Sequence, residues 1–183
     1  DLGGVAVPVP TDPQNGFRVT GDDLRRALTP RTRAILLNYP NNPTGVSLTR
    51  PELEEIARIA EERNLIVISD EIYEKFVYAP WAHISIASFP GMAERTITLN
   101  GFSKTYAMTG LRVGYVCAPK NVIDAMARVK VLTTGAAATV SQWAALAALE
   151  QAEASRIVID GFRQIYGERR ALMATTTTLP LVI

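Results

Sequence analysis

Two continuous apolar runs constrain this chain most: Ala34 to Asn38 (Ala-Ile-Leu-Leu-Asn) and Leu65 to Ser69 (Leu-Ile-Val-Ile-Ser). Runs this short and this apolar read as buried strands. Thr96 to Leu99 reads as a third strand, and Leu111 to Ala118 as a fourth. Helical patterns alternate with them. Gly21 to Leu28 reads as a short helix. A longer helix starts at a capping box of Thr49 and Glu52 and places Leu53, Ile56, Ala57 and Ala60 at helical spacing. A β-branched run, Val5 to Val9, reads as a short strand ahead of these. The connection from the third strand to the fourth is too short for a crossover helix and predicts an antiparallel pair there. From Asn121 onward the pattern predicts three helices, with breaks at Gly135 and Gly161. The expected class is α/β: a mostly parallel sheet with helices on both faces.

Composition excludes several functions. With 183 residues the chain holds one full core or a large piece of a bigger domain, and 48% hydrophobic with 20% charged residues is ordinary for a soluble globular protein. A net charge of +1 gives no electrostatic case for nucleic acid or an anionic membrane as partner. The single cysteine, Cys117, rules out an internal disulfide, so the cytoplasm is the expected compartment. The chain opens Asp-Leu-Gly-Gly, unlike a secretory leader, and no apolar run approaches the ~18 residues that span a bilayer.

Ligands of such sheets bind beyond the carboxyl ends of the strands. Asn42, Asp70 and Lys104 all fall at or just past such ends. Lys104 sits in a Ser/Thr/Gly-rich turn, where a lysine amine can form a Schiff base once a neighbouring cation such as Arg112 or desolvation lowers its pKa. Taken alone, a Ser-Lys pair reads first as a solvated surface lysine; a Ser103–Lys104 hydrolytic dyad is a further reading, but nothing else suggests the oxyanion hole a hydrolase needs. Asp70 ends an apolar strand, where a carboxylate needs a cation or a donor; it fits either a pyridinium partner or a helix cap. Tyr73 and Asn42 are candidate donors to a ring oxygen, or a packed phenol and a turn residue. Arg112 and Ser103 are candidates for holding a phosphate. A metal at Asp70-Glu71 is discounted, since adjacent strand residues point apart and the only histidine is His83. His83 and Trp81 are read as structural, Trp143 as core or interface, and Cys117 as a buried small hydrophobe.

Each signal is weak alone, but their order is distinctive. Asn41-Asn42-Pro43-Thr44-Gly45, Ser69-Asp70-Glu71-Ile72-Tyr73, and Ser103-Lys104 with Gly110-Leu111-Arg112-Val113-Gly114 resemble the three signature segments of the class I/II pyridoxal-phosphate (PLP) aminotransferases of the aspartate aminotransferase fold. The resemblance runs from about Val5 to Ala174. It implies a pyridoxal 5'-phosphate cofactor and transfer of an amino group from an amino acid to a 2-oxo acid. By position, Lys104 would carry the cofactor as a Schiff base and shuttle a proton. Asp70 would pair with the pyridinium, Tyr73 and Asn42 would hold the ring oxygen, and Arg112 and Ser103 would bind phosphate. A homodimer and a cis Asn42–Pro43 peptide are also implied.

The resemblance has gaps. The family's N-terminal phosphate-cupping segment and its C-terminal small domain, with the arginine for the substrate carboxylate, have no counterpart here. The expectation is therefore a large domain incomplete at both ends, over residues 1–154, followed by an interdomain helix and the start of a small domain over 155–183. Transamination is expected to need the missing segments. Arg163, Arg169 and Arg170, on the interdomain helix, are not assigned the substrate role, and Gly101 stands where some members have a phosphate-binding serine. The rival readings are another PLP enzyme of this fold such as a C–S lyase, a non-catalytic PLP-binding regulator, and a truncated product.

Overall fold

The computed structural model describes residues 3–176. Four strands form one sheet in the order β1 (Ala34–Asn38), β2 (Ile66–Asp70), β3 (Thr96–Gly101) and β4 (Gly114–Cys117). β1, β2 and β3 run parallel, and β4 returns antiparallel to β3, as the short connection predicts. Asn38 lies opposite Asp70, and Asp70 opposite Leu99, so the carboxyl ends of the three parallel strands are level.

Helices α1 (Gly21–Ala27) and α2 (Arg50–Glu62) cover one face. Ile35, Leu37 and Val67 of the sheet meet Leu24, Leu53, Ile56 and Ile59 there in a single core. On the opposite face Leu36 is 70% and Ile66 42% exposed. The amino end of α2 is fixed as its sequence predicts. The Glu52 carboxylate accepts from the Thr49 backbone N–H (2.6 Å) and hydroxyl (2.5 Å), and also pairs with Arg18 at 2.7 Å. α1 carries its own capping box, Thr20 with Asp23. Three further helices follow: α3 (Lys120–Thr133), α4 (Thr139–Glu150) and α5 (Ala152–Thr176).

The structure corrects several expectations. Val5 to Val9 is not a strand; Val5 is 87% exposed and pairs with no sheet. Gly135 does separate α3 from α4, with φ +63°, whereas Gly161 lies inside α5 without breaking it. A lone glycine costs a helix only ~1 kcal/mol, which neighbouring helix formers override. β4 starts at Gly114 instead of Leu111, because a 3₁₀ turn occupies Thr109–Leu111 and Arg112 takes a left-handed conformation. Cys117 is exposed, being on an edge strand, and Trp143 is exposed on α4 and no part of the core. The Asn42–Pro43 peptide is cis, as are Tyr39–Pro40 and Ala79–Pro80. Among the described residues no helix is long and apolar enough to cross a membrane.

Candidate active site

The level strand ends bring the signature segments to one edge of the sheet. The chain leaves β1 into a tight loop held by Asn41, whose backbone N–H donates to the Val46 carbonyl (2.9 Å) and whose side-chain oxygen accepts from the Thr44 hydroxyl (2.8 Å). This loop presents Asn42 to solvent. Beyond β2, Tyr73 stands half-buried in a turn closed by the Glu74 N–H on the Glu71 carbonyl. Beyond β3, buried Phe102 and Thr105 anchor the turn that carries exposed Lys104. The Met108 N–H returns to the Phe102 carbonyl and closes that turn (3.2 Å).

Three of the six expected residues meet directly. The Asn42 amide donates to the Tyr73 hydroxyl at 3.2 Å, and Lys104 Nζ lies 5.5 Å from the centre of the Tyr73 ring. Asp70, half-buried as the last residue of β2, accepts the Ile72 N–H at 3.2 Å. Arg112 is held within its own turn by a bond to the Thr109 carbonyl (2.9 Å), with φ +49°. Left-handed backbone in a non-glycine residue is uncommon and concentrates at functional sites. Among the described residues no hydrogen bond or ion pair links Arg112 or Ser103 to the trio. Both occupy the same sheet edge, since β4 starts where β3 ends. A cavity of about 340 Å³ elsewhere, bordered by Lys75, Tyr106, Arg156 and Arg163, is lined by none of the six.

Sequence reading missed one cluster beside them. Glu71 is buried, and its carboxylate accepts from the Ser69 (2.9 Å) and Ser85 (2.8 Å) hydroxyls and lies 2.9 Å from His83 Nε2. Burial alone would raise its pKa, but the bonds from His83, Ser85 and Ser69 and the charge of His83 hold it below the usual carboxylate range. The available signal was a second acidic residue at an apolar strand end, which demands partners wherever it is buried.

The chain belongs to the aminotransferase class I and II family, whose model matches residues 1–177. It is 48% identical over 171 residues to aromatic-amino-acid aminotransferase 2 of Thermococcus litoralis, covering 93% of this chain and 44% of that protein. It is 46% identical over 173 residues to the aspartate/prephenate aminotransferase of Thermus thermophilus, with the same two coverages. The crystal structure of the aromatic aminotransferase from Pyrococcus horikoshii superposes with a TM-score of 0.90 at 47% identity, over 92% of this chain and 45% of that one. The chain thus spans less than half the length of these relatives. The family uses pyridoxal 5'-phosphate.

The donor set at the sheet edge suits that cofactor: an amine for its aldehyde, a carboxylate for its ring nitrogen, and a phenol and an amide for its ring oxygen. A guanidinium and a hydroxyl remain for its phosphate.

Proposed function

We propose that the protein carrying this chain transfers an amino group from an amino acid to a 2-oxo acid in two half-reactions, with pyridoxal phosphate held at the edge formed by the ends of β1, β2 and β3. The observation that carries this reading is the meeting of Lys104, Tyr73 and Asn42, three signature residues drawn from three separate segments. Bound there, the cofactor supplies an electron sink for charge developing at the substrate α-carbon.

The chain's own residues do the rest. Lys104 would hold the cofactor through its amine and would also be the group placed to move the substrate's α-proton. Asp70 keeps the ring nitrogen protonated by offering it a carboxylate. Tyr73, itself hydrogen-bonded by Asn42, donates to the ring oxygen. Arg112 and Ser103 orient the phosphate, Arg112 through a forked guanidinium suited to it. The names of the relatives, for aspartate, prephenate and aromatic amino acids, support amino acid and 2-oxo acid substrates and weigh against a C–S lyase. They weigh equally against a non-catalytic regulator.

We further assign residues 1–154 to the cofactor-binding domain and 155–183 to the passage toward a second domain. α5 accounts for that passage as far as Thr176, and residues 177–183 lie outside the described ones. Assembly as a homodimer in the cytoplasm belongs to the same proposal.

The test is spectroscopic. The intact protein is mixed with pyridoxal phosphate beside its Lys104→Ala variant. A visible absorption band that survives dialysis in the parent and is lost in the variant is expected. An equal band in both would remove Lys104 from its role.

A further inference from the structure

The buried cluster around Glu71 adjoins Asp70, and its geometry bears on how that carboxylate is aimed. Side chains alternate across a strand, so Ser69 and Glu71 face the covered side while Asp70 faces the other. Ser69 and Glu71 are bridged by a hydroxyl–carboxylate bond of 2.9 Å that flanks Asp70 on both sides. The Glu71 N–H donates to the Leu99 carbonyl at 2.9 Å, carrying the β2–β3 pairing one residue past Asp70. From the far side, His83 and Ser85 bring the loop after Tyr78 onto the same carboxylate. Asp70 thus sits between two neighbours that cannot rotate independently, and its carboxylate is steadied by the Ile72 N–H. Glu71 is 3% exposed. A buried ionised group is costly to keep, and its best-attested use is to specify one arrangement where apolar packing allows several.

We propose that Glu71 is a positioning residue for the cofactor's ring nitrogen, acting through Asp70. The Glu71–His83–Ser85–Ser69 cluster fixes the backbone on both sides of Asp70 before cofactor arrives. The proposal rests on reading Asp70 as the partner of that nitrogen.

The test separates the two claims with a pair of ligands: pyridoxal phosphate, and its deaza analogue in which C–H replaces the ring nitrogen. Dissociation constants are measured by absorbance titration on the intact protein, Glu71→Gln and Ser85→Ala, with near-ultraviolet circular dichroism as the control for folding. The parent should prefer pyridoxal phosphate by about tenfold or more, the scale of one charge-assisted hydrogen bond. Glu71→Gln should bind the analogue nearly as the parent does and lose most of that preference. Ser85→Ala should lose part of it. A folded Glu71→Gln that keeps the full preference overturns the proposal, because a merely structural residue would weaken both ligands alike. If Glu71→Gln does not fold, an unchanged preference in Ser85→Ala overturns it instead. A parent that binds neither ligand, or binds both equally, overturns the reading of Asp70 and this inference with it.

Discussion

The Asn42 amide donates to the Tyr73 hydroxyl at 3.2 Å, tying the loop after β1 to the turn after β2 across a gap that no backbone ladder bridges. A phenol that accepts one hydrogen bond keeps its own proton to donate. The Tyr73 hydroxyl is therefore oriented for an acceptor, with Lys104 Nζ 5.5 Å from its ring.

From this pair we expect Tyr73→Phe and Asn42→Ala to leave cofactor-free stability within ~0.5 kcal/mol, because Asn42 is exposed and the bond between them is partly replaced by water. With pyridoxal phosphate bound, losing a donor to the ring oxygen should disfavour its ionised form. The pH midpoint of the visible band should then rise, more in Tyr73→Phe than in Asn42→Ala. Thermal melts and a spectral titration check both halves. An unmoved midpoint would leave Tyr73 a packing residue only.

Gly101 lies opposite Gly114 where β3 meets β4. A Cβ at Gly101 would come within 3.0 Å of the Gly114 Cα and 3.2 Å of the Val113 carbonyl oxygen, both backbone atoms that cannot swing aside. The close approach of the two strands therefore leaves little space for a side chain at this position. Gly101→Ser should destabilise the fold by about 1–3 kcal/mol, as overpacking does, read as a lower urea midpoint. A neutral result would mean that β4 shifts freely.

The parts of the fold legible in the sequence were those fixed by local chemistry. β1 and β2 follow from their apolar runs, α2 from Thr49 and Glu52, and the antiparallel turn to β4 from its short connection. The site positions were legible for a related reason: strand ends can be located, and Asn42, Asp70 and Lys104 sit at them. Tertiary effects were not. Val5 to Val9 has strand composition, yet strands need partners, and this one pairs with none. Arg112 adopts a left-handed backbone that propensity does not predict, which shortened β4. In the sequence Glu71 reads only as a discounted metal ligand; its hydrogen-bonded cluster escaped notice because His83 and Ser85 lie 12 and 14 residues away and are joined to it only by the fold.

Glu52 connects three elements of local order. Its carboxylate holds the Thr49 N–H and hydroxyl and the Arg18 guanidinium, which also lies over Trp81 at 4.6 Å. Glu52→Ala should therefore cost more than an ordinary surface substitution, about 1–2 kcal/mol, the upper range for a lost helix cap. Arg18→Ala should cost less in the Glu52→Ala background than alone. Denaturant curves for the two single variants and the double variant measure that coupling; strict additivity would show that the Arg18–Glu52 pair contributes nothing.

Glu71 also predicts how the fold responds to acid. Burial raises its pKa, but the bonds from His83, Ser85 and Ser69 and the charge of His83 outweigh it, so the folded value lies below the ordinary 4.5. A carboxyl whose folded pKa is depressed contributes stability that is fully present above its unfolded pKa and lost as pH falls through the folded one. Glu71→Gln removes that linkage while keeping the side chain's size. The variant should melt below the parent at neutral pH, where the parent's carboxylate is ionised and engaged. The gap between the two should narrow as pH drops beneath about 4.5, where the unfolded parent takes up a proton that the folded one still excludes, and should be lost once pH passes below the folded value. Melting temperatures of both proteins between neutral pH and the acid limit of folding test this. A gap that stays constant down to that limit would mean that the Glu71 charge contributes no stability and that only the shape of the side chain is used.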